Sequence, residues 1–232
     1  MKLQDSVVLV TGANRGLGLA FAQAALAAGA RKVYAAARDP ASITLPGVVP
    51  IALDVTDASQ IASAVRACGD LTLLINNAGI SRGASLLSSP TAVGDARAEF
   101  ETHFFAPWAL SAAFAPVLAA NGGGAIVNVL SALSWVSFPS VATYSASKSA
   151  AWSLTNGLRN ELRAQGTQVV ALHVGYMDTD MTRGLDAPKS SPADVARVAL
   201  EGVEAGLFEV LADDVSRQIK QSLSSATPAY AA

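Results

Sequence analysis

Residues 7–18 read Val7-Val8-Leu9-Val10-Thr11-Gly12-Ala13-Asn14-Arg15-Gly16-Leu17-Gly18, an apolar run followed by three closely spaced glycines. The apolar run predicts a strand that is buried on both faces. The glycines predict a strand-to-helix turn, in which Gly12 permits the tight turn and Gly16 lets the backbone approach a pyrophosphate. Gly18 allows the helix to pack closely on the strand, and the phosphates would lie at the positive end of that helix.

Similar apolar runs alternate with longer segments of helical periodicity along the rest of the chain. This alternation is typical of a parallel sheet whose strands are joined by crossover helices. We therefore predict an α/β fold: a single Rossmann-like domain over residues 1–232, with a doubly wound parallel sheet of about seven strands and helices on both faces. The predicted strands are residues 7–10, 32–37, 48–53, 71–75, 125–130, 169–174 and 208–211, and the predicted helices are residues 17–28, 59–67, 92–120, 145–164, 192–205 and 213–225.

The composition excludes several classes of function. The formal net charge is -2 and Lys and Arg form no run, which argues against nucleic-acid binding because phosphate neutralisation needs clustered positive charge. Small or polar residues interrupt the apolar stretches before the roughly 18 residues of a membrane span, and no signal-peptide pattern precedes the first strand. The lone Cys68 cannot form an internal disulfide and is interpreted as a packing residue. We expect a cytoplasmic protein with no nucleic-acid partner, no membrane partner and no metal site.

Three further motifs accompany the glycine-rich turn. Asn76-Asn77-Ala78-Gly79 follows the fourth strand, Ser131 follows the fifth, and Tyr144-Ser145-Ala146-Ser147-Lys148 begins the next helix. Tyr144 and Lys148 are four residues apart, so both side chains project from one helix face. In this order and at these separations the four motifs resemble the short-chain dehydrogenase/reductase family, over about residues 6–182.

The resemblance implies acid–base chemistry on a carbonyl or alcohol, carried out by Ser131, Tyr144 and Lys148. A tyrosine with its ordinary pKa of about 10 is a poor catalyst at neutral pH. One ammonium about 4 Å away supplies the roughly 4 kcal/mol that lowers this pKa by about three units. The resemblance implies that Tyr144 is the proton donor, that Lys148 also holds the nicotinamide ribose, and that Ser131 bonds the substrate oxygen. Taken singly, Ser131 and Ser134 could cap a strand end and Tyr144 could be a half-buried aromatic residue.

The end of the second strand indicates which dinucleotide binds. NAD-dependent relatives usually carry an acidic residue there for the ribose 2′-hydroxyl, whereas this chain has Ala37 followed by Arg38. Arg38 and Arg15 can both reach the 2′ position, where paired guanidinium groups suit a phosphate. We predict NADP(H), although Arg38 could be a solvated surface charge and Asp39 adjoins it. The resemblance implies cofactor contacts from Gly12, Asn14, Arg15, Gly16, Leu17, Gly18, Arg38, Asp54, Val55, Asn77, Ala78, Gly79, Tyr144, Lys148, Gly175, Met177 and Thr179.

Two positions depart from the family's pattern. His103 stands where the family usually has a catalytic asparagine that holds a relay water linking the lysine to solvent. Because histidine titrates near neutrality, His103 either takes over this role or packs as a helix residue while the relay runs otherwise. Val174-Gly175 stands where the family usually has Pro-Gly, which loosens the turn but keeps the backbone approach at Gly175 and the bond from Thr179 to the nicotinamide carboxamide.

The family positions imply an apolar and aromatic substrate cleft, which fits a hydrophobic ketone, aldehyde or secondary alcohol. Trp135 could instead be a core or subunit contact. Residues 179–191 correspond to a short substrate lid. Members are commonly homotetramers or homodimers, so the expected partners are a small carbonyl or alcohol substrate and further copies of the chain. The predicted pocket residues are Ile80, Leu133, Trp135, Phe138, Val141, Tyr176 and Met177.

The sequence thus predicts an NADPH-dependent oxidoreductase of the carbonyl reductase type, with Ser131, Tyr144, Lys148 and His103 as candidate catalytic residues. Three alternative functions would each be expected to have different residues at these positions. A catalytically idle dinucleotide sensor would be expected to lack Tyr144 or Lys148. A reductase of an activated carbon–carbon double bond usually has a wider tyrosine–lysine spacing. A dehalogenase-like relative would carry arginine at Lys148 and a degraded glycine loop.

Overall fold

The structure is a computed structural model that describes residues 1–231. These residues form one parallel sheet of seven strands with helices packed on it. The strands are β1 (Val7–Thr11), β2 (Lys32–Ala37), β3 (Val49–Ala52), β4 (Leu73–Asn76), β5 (Ala125–Val129), β6 (Gln168–His173) and β7 (Glu209–Leu211). Their spatial order is β3-β2-β1-β4-β5-β6-β7, so the order reverses between β1 and β4. Ligands of such sheets bind beyond the carboxyl ends of the strands at this reversal. The predicted Rossmann-like fold is confirmed.

Seven α-helices cover the described part of the sheet and differ from the predicted ones mainly at their ends. They are α1 (Gly16–Ala27), α2 (Ala58–Ala67), α3 (Ala92–Phe100), α4 (Ala106–Ala120), α5 (Ala142–Leu162), α6 (Pro192–Glu204) and α7 (Asp214–Ser222). A π turn, Glu101–Phe105, joins α3 to α4 within the single helix that was predicted. Helix α5 begins at Ala142, so Tyr144 lies in its first turn. Asp213, predicted as a helical residue, is the N-cap of α7 and accepts from the Ser216 N–H.

The apolar faces of these helices bury both sides of the sheet. Helices α1 and α6 form the core on one face, where Phe21 is fully buried. Helices α2, α4 and α5 form the core on the other face around Phe114. Cys68 is fully buried in this second core, and burial raises the pKa of its thiol to about 12. The thiol therefore stays protonated and acts as a small packing group.

One helical stretch, Ala92–Ala120, is long and apolar enough, by length and composition, to cross a membrane. The expectation that no apolar stretch reaches this length is wrong for this segment. Composition alone does not separate a membrane span from the core helix of a soluble protein. Leu110, Phe114 and Leu118 of this stretch pack in the core, while 33% of its most apolar window is buried in all.

Truncation of Phe114 should destabilise the fold far more than truncation of Phe105. Phe114 is fully buried, so Phe114→Ala leaves a cavity and should lower the free energy of unfolding by about 3–5 kcal/mol. Phe105 lies in the same helical stretch but is 46% exposed, and Phe105→Ala should cost about 1 kcal/mol or less. Denaturant unfolding measures both variants, and equal losses would contradict the packing described above.

Candidate active site

The glycine-rich turn between β1 and α1 is held against the end of β4. Gly12 has a φ of 66°, and a Cβ there would lie 3.1 Å from the Ala78 Cα. A Cβ on Gly18 would lie 2.1 Å from the Gly12 carbonyl oxygen, so α1 can pack on the strand only with glycine there. The Asn77 side chain donates to the Thr11 carbonyl oxygen at 2.8 Å and ties β4 to the turn. The close contacts at Gly12 and Gly18 are therefore those that the sequence predicted for this turn.

Two exposed arginines lie near the predicted 2′ position, one in the glycine-rich turn and one after β2. Arg15 is paired with Asp180 at 3.1 Å, and Arg38 is exposed directly after β2. The Asp39 carboxylate accepts from the Ala41 N–H at 2.9 Å and caps the short turn that follows. Asp39 is therefore bonded to its own turn and forms no ion pair with Arg38 among the described residues.

Tyr144, Lys148, Ser131 and His103 come together beyond the carboxyl end of β5. The Lys148 Nζ donates to the Val129 carbonyl oxygen at 2.9 Å and lies 5.6 Å from the centroid of the Tyr144 ring. The His103 ring meets the Tyr144 ring edge to face, with 5.2 Å between centroids. The Ser131 hydroxyl is close enough to Tyr144 to affect its ionisation. The structure thus gathers residues that are up to 45 positions apart in sequence.

Burial controls the protonation of this cluster. It raises the pKa of the Tyr144 phenol above its ordinary value, the charge of Glu99 adds to the rise, and the Ser131 hydroxyl opposes it. Burial lowers the pKa of Lys148 to about 8. It also lowers the pKa of His103 well below its ordinary value, and the Lys148 charge acts in the same direction. The expectation that Lys148 gives Tyr144 a lowered pKa is therefore wrong for the protein alone, because the burial of the phenol raises its pKa and keeps it protonated.

Both ring nitrogens of His103 are bonded to protein atoms. Its Nε2 lies 3.1 Å from the Ile80 backbone nitrogen, whose N–H can only donate, so Nε2 is unprotonated. Its Nδ1 therefore carries the proton and donates to the Ser147 Oγ at 2.8 Å, and that hydroxyl donates to the Tyr144 carbonyl at 2.7 Å. No nitrogen is left for a relay water. Of the two interpretations of His103, the structure supports a neutral residue that packs in the helix.

A small cavity lies beside His103 where the helix is irregular. Pro107 follows the π turn and has no N–H, so an α-helical bond to the His103 carbonyl cannot form. The Oδ1 atom of Asn76 is buried and lacks a hydrogen-bond partner among residues 1–231. The cavity has a volume of about 10 Å³, enough for a single water molecule. It is lined by Asn76, Ala78, His103, Pro107, Asn128, Val129, Leu130, Lys148 and Ala151.

The predicted pocket residues do not all face solvent. Phe138 is 50% exposed and Tyr176 is 40% exposed. Trp135 is only 9% exposed, and its ring stacks on His173 with 3.8 Å between centroids. The short turn after Ser131 places this ring in the layer between α5, β6 and α7, so the assignment of Trp135 to the substrate cleft is corrected to a core position. The remaining predicted pocket residues, Ile80, Leu133, Val141 and Met177, are half-buried.

The segment after β6 is fixed by Asp213, a residue that the sequence analysis did not assign to the site. The Gly175 N–H donates to the Asp213 Oδ2 at 2.7 Å, and the Ser190 hydroxyl donates to the same oxygen at 3.2 Å. A Cβ on Gly175 would lie 3.1 Å from that oxygen and 3.2 Å from Val215. Gly175 is thus needed for close packing on α7, and this packing holds the turn that proline usually stiffens.

The remaining predicted cofactor residues lie along the carboxyl edge of the sheet. Asp54 follows β3, and its carboxylate accepts from the Thr56 N–H at 3.0 Å. Thr179 faces the glycine-rich turn, because a Cβ on Gly16 would lie 3.4 Å from its Cγ2. Their contacts with a cofactor remain predictions, as do those of Asn14, Leu17, Val55, Gly79 and Met177.

A model of the family described as short chain dehydrogenase matches residues 6–190. The chain belongs to the short-chain dehydrogenase/reductase family. It is 32% identical over 229 residues to 1-deoxy-11-beta-hydroxypentalenate dehydrogenase of Streptomyces exfoliatus, covering 92% of this chain and 82% of that relative. It is 31% identical to Dehydrogenase/reductase SDR family member 7B of Xenopus tropicalis, over 78% of this chain and 63% of that relative. A crystal structure of a short-chain dehydrogenase from Burkholderia cenocepacia in complex with NADP matches with a TM-score of 0.92 at 40% identity, over 97% of this chain and 95% of that one.

Glu99 is a further residue at the site of this short-chain dehydrogenase that sequence analysis missed. It is fully buried, four residues before His103 on the same side of the helix. Its Oε1 accepts from the Arg82 N–H at 2.8 Å, and its Oε2 is buried with no hydrogen-bond partner within the described chain. Its charge raises the pKa of Tyr144. The sequence did contain a signal for this residue: Glu99 lies four positions before His103 in a predicted helix, which places both side chains on one face.

Replacement of Glu99 by glutamine should lower the pKa of Tyr144. The side-chain carbonyl of glutamine can still accept from the Arg82 N–H, whereas the negative charge that favours the protonated phenol is removed. Glu101→Gln is the matched control, because Glu101 is exposed two residues away. Ultraviolet titration of the phenolate, with a Tyr144→Phe variant subtracted, measures the shift. An unchanged pKa in Glu99→Gln would remove Glu99 from the electrostatics of Tyr144.

Proposed function

We propose that this short-chain dehydrogenase is an NADPH-dependent oxidoreductase that interconverts a hydrophobic ketone or aldehyde with its alcohol. The observation that carries the proposal is the convergence of Tyr144, Lys148 and Ser131 at the end of β5, next to the end of β4 and the glycine-rich turn. A nucleophile or metal is not required for this chemistry, since the substrate carbon exchanges a hydride and its oxygen exchanges a proton.

The glycine-rich turn fits a dinucleotide. Within the described chain, α1 begins without a side-chain cap and without an acidic residue in its first turn. Its first N–H groups are therefore available to a pyrophosphate. Gly16 has a φ of 54°, and a side chain there would project toward Thr179 across the crevice. Arg15 and Arg38 would hold the 2′-phosphate, Asp54 and Val55 the adenine, and Gly175, Met177 and Thr179 the nicotinamide end.

The residues of this chain would supply the proton and the stabilisation of charge, while the bound nicotinamide supplies or accepts the hydride. In reduction, the Ser131 hydroxyl donates a hydrogen bond to the substrate oxygen as that oxygen becomes negative. Tyr144, whose burial keeps the phenol protonated, transfers its proton to the same oxygen and completes the alcohol. The buried Lys148 ammonium then stabilises the phenolate that remains. Oxidation is the reverse of these steps.

The cavity beside His103 would hold a water that exchanges a proton with Lys148, the cation next to Tyr144. Lys148 lines it and has a pKa of about 8, so its ammonium can release and regain a proton near neutral pH. A water there could accept from Lys148 and donate to the unpartnered Asn76 Oδ1. In this proposal His103 shapes the cavity and the neighbouring backbone, and it does not itself titrate.

Exposed apolar side chains around the site support a hydrophobic substrate. Phe138 lies between Ser131 and Tyr144 in sequence, Tyr176 follows β6, and Met181 and Leu185 are about half exposed in residues 179–191. The base of this segment is closed by the Ser190 N–H, which donates to the Tyr176 carbonyl at 2.8 Å. Because residues 179–191 are few and their two ends are bonded together, we expect them to cover little of the substrate cleft. An uncovered cleft suits a range of carbonyl compounds.

Tyr144→Phe should abolish most of the reduction while NADPH still binds. Loss of the proton donor should lower kcat by about 10²- to 10⁴-fold, with the dissociation constant for NADPH within about twofold of wild type. Tyr230→Phe, at an exposed tyrosine, is the control. NADPH absorbance with a panel of ketones and aldehydes gives the rates. A Tyr144→Phe variant with wild-type rates would overturn the mechanism, and a wild-type protein that binds NADPH but reduces no member of the panel would favour the sensor alternative.

Arg38→Ala should weaken NADPH much more than NADH. Loss of a charged hydrogen bond to the 2′-phosphate, worth about 1.5–3 kcal/mol, should raise the KM for NADPH by about 10- to 100-fold. The KM for NADH should stay near that of wild type. Arg31→Ala removes an exposed arginine just before β2, away from the carboxyl edge, and is the control. Equal effects on the two cofactors would contradict the assignment of Arg38.

A further inference from the structure

His173, the last residue of β6, contacts the backbone of the proposed catalytic serine. It is fully buried, and its Nδ1 lies 3.1 Å from the Ser131 carbonyl oxygen. A carbonyl can only accept, so Nδ1 carries a proton and donates. β5 ends at Val129, which leaves the Ser131 carbonyl beyond the regular strand pairing. The same carbonyl accepts from the Ser134 N–H at 2.9 Å, and the neighbouring Ala132 N–H donates to the Val174 carbonyl at 3.0 Å. The bond from His173 is thus the one side-chain contact, among the described residues, that adds to these backbone bonds on the Ser131 peptide.

The ring of His173 is clamped by aromatic side chains. Trp135 stacks on it with 3.8 Å between centroids and 19° between the planes, and Trp152 meets Trp135 edge to face at 6.1 Å. The Lys220 ammonium of α7 lies 4.8 Å from the centroid of Trp135 and 5.4 Å from that of Trp152. The ring cannot turn without displacing this stack, so the direction of its Nδ1–H is fixed.

The charges around His173 keep it neutral. Burial lowers the pKa of His173 to about 3, and the cations Lys220, Lys148 and Arg159 act in the same direction. Its Nε2 is 3.5 Å from the Glu209 Oε1 and lacks a hydrogen-bond partner within residues 1–231. Lys220 donates to that same oxygen at 3.0 Å. The ammonium thus offsets the carboxylate that would otherwise attract a second proton to the ring.

A buried histidine whose Nε2 lacks a hydrogen-bond partner among residues 1–231 is a costly way to fill a core position, since an apolar side chain would leave no polar atom unpaired there. Its bonded nitrogen is directed at the backbone of Ser131. The Ser131 hydroxyl in turn accepts from the Leu133 N–H at 3.1 Å and donates to the Val174 carbonyl oxygen at 3.5 Å, so its direction depends on where the Ser131 backbone lies relative to these groups. A fixed peptide at Ser131 is therefore a condition for a fixed direction of that hydroxyl.

We propose that His173 is a positioning residue whose Nδ1–H holds the Ser131 carbonyl and so aims the Ser131 hydroxyl, and that Lys220 and Glu209 from the C-terminal segment maintain it in this form. The proposal rests on the role given to Ser131 in the proposed function. It assigns to β7 and α7 a part in the active site, although neither element carries a proposed catalytic residue.

The test compares His173→Asn with His173→Leu in the full-length protein. The two side chains have nearly the same shape, and both lose the stack on Trp135, but only the asparagine amide can donate from the position of Nδ1. We expect a kcat for His173→Leu about 10- to 100-fold below that of His173→Asn, because small misplacements of catalytic groups cost rate. The dissociation constant for NADPH should agree between the variants within about twofold. Equal kcat values in two folded variants would overturn the proposal.

Nitrogen-15 NMR of the histidine rings of the wild-type protein provides a second measurement that needs no variant of His173 to fold and no substrate. The chain has two histidines, and a His103→Asn variant assigns the signals. We expect His173 to be neutral with the proton on Nδ1 at neutral pH. A proton on Nε2, or on both nitrogens, would overturn the proposal. If the wild-type protein reduces no carbonyl compound, the proposed function fails, and the tautomer still decides the bond to Ser131.

Discussion

The ammonium of Lys148 is buried at the carboxyl end of β5, and the burial of the two neighbouring histidines, together with this charge, lowers the pKa of both. The side chain is only 5% exposed, and its Nζ is satisfied by the Val129 carbonyl rather than by a carboxylate. A second positive charge nearby would be unfavourable. His103 and His173 are accordingly both neutral, and the Lys148 charge contributes to the lowered pKa of each. The buried site therefore carries one positive charge, that of Lys148, next to the protonated phenol of Tyr144.

The parts of the fold and site that depend on local sequence were predictable. The glycine-rich turn could be assigned because Gly12 and Gly18 each meet a steric limit set by residues of the same turn or the next strand. Ser131, Tyr144 and Lys148 could be grouped because parallel strands end at one edge of the sheet. The family match over residues 6–190 confirms the family that these motifs indicated.

The parts that depend on distant neighbours were not predictable. The tautomer of His103 follows from the Ile80 N–H and the Ser147 hydroxyl, which lie 23 and 44 residues away. The pKa of Tyr144 was misjudged because a charge at an assumed distance was considered without the burial of the phenol, which is the larger effect. Trp135 was misplaced because sequence position does not show to which side of the turn its ring points.

The C-terminal segment likewise affects the site through contacts between residues that are far apart in sequence. The family match ends at residue 190, yet Asp213 binds both the Gly175 N–H and the Ser190 hydroxyl, and Glu209 and Lys220 surround His173. These residues bear on Ser131 and on the segment after β6 without belonging to any motif. A motif records the groups that touch cofactor and substrate. The turn at Gly175 packs on Asp213 and Val215, and under the proposal made for His173 the direction of the Ser131 hydroxyl also depends on β7 and α7. On that proposal, relatives with the same motifs and a different C-terminal segment need not hold their serine in the same way.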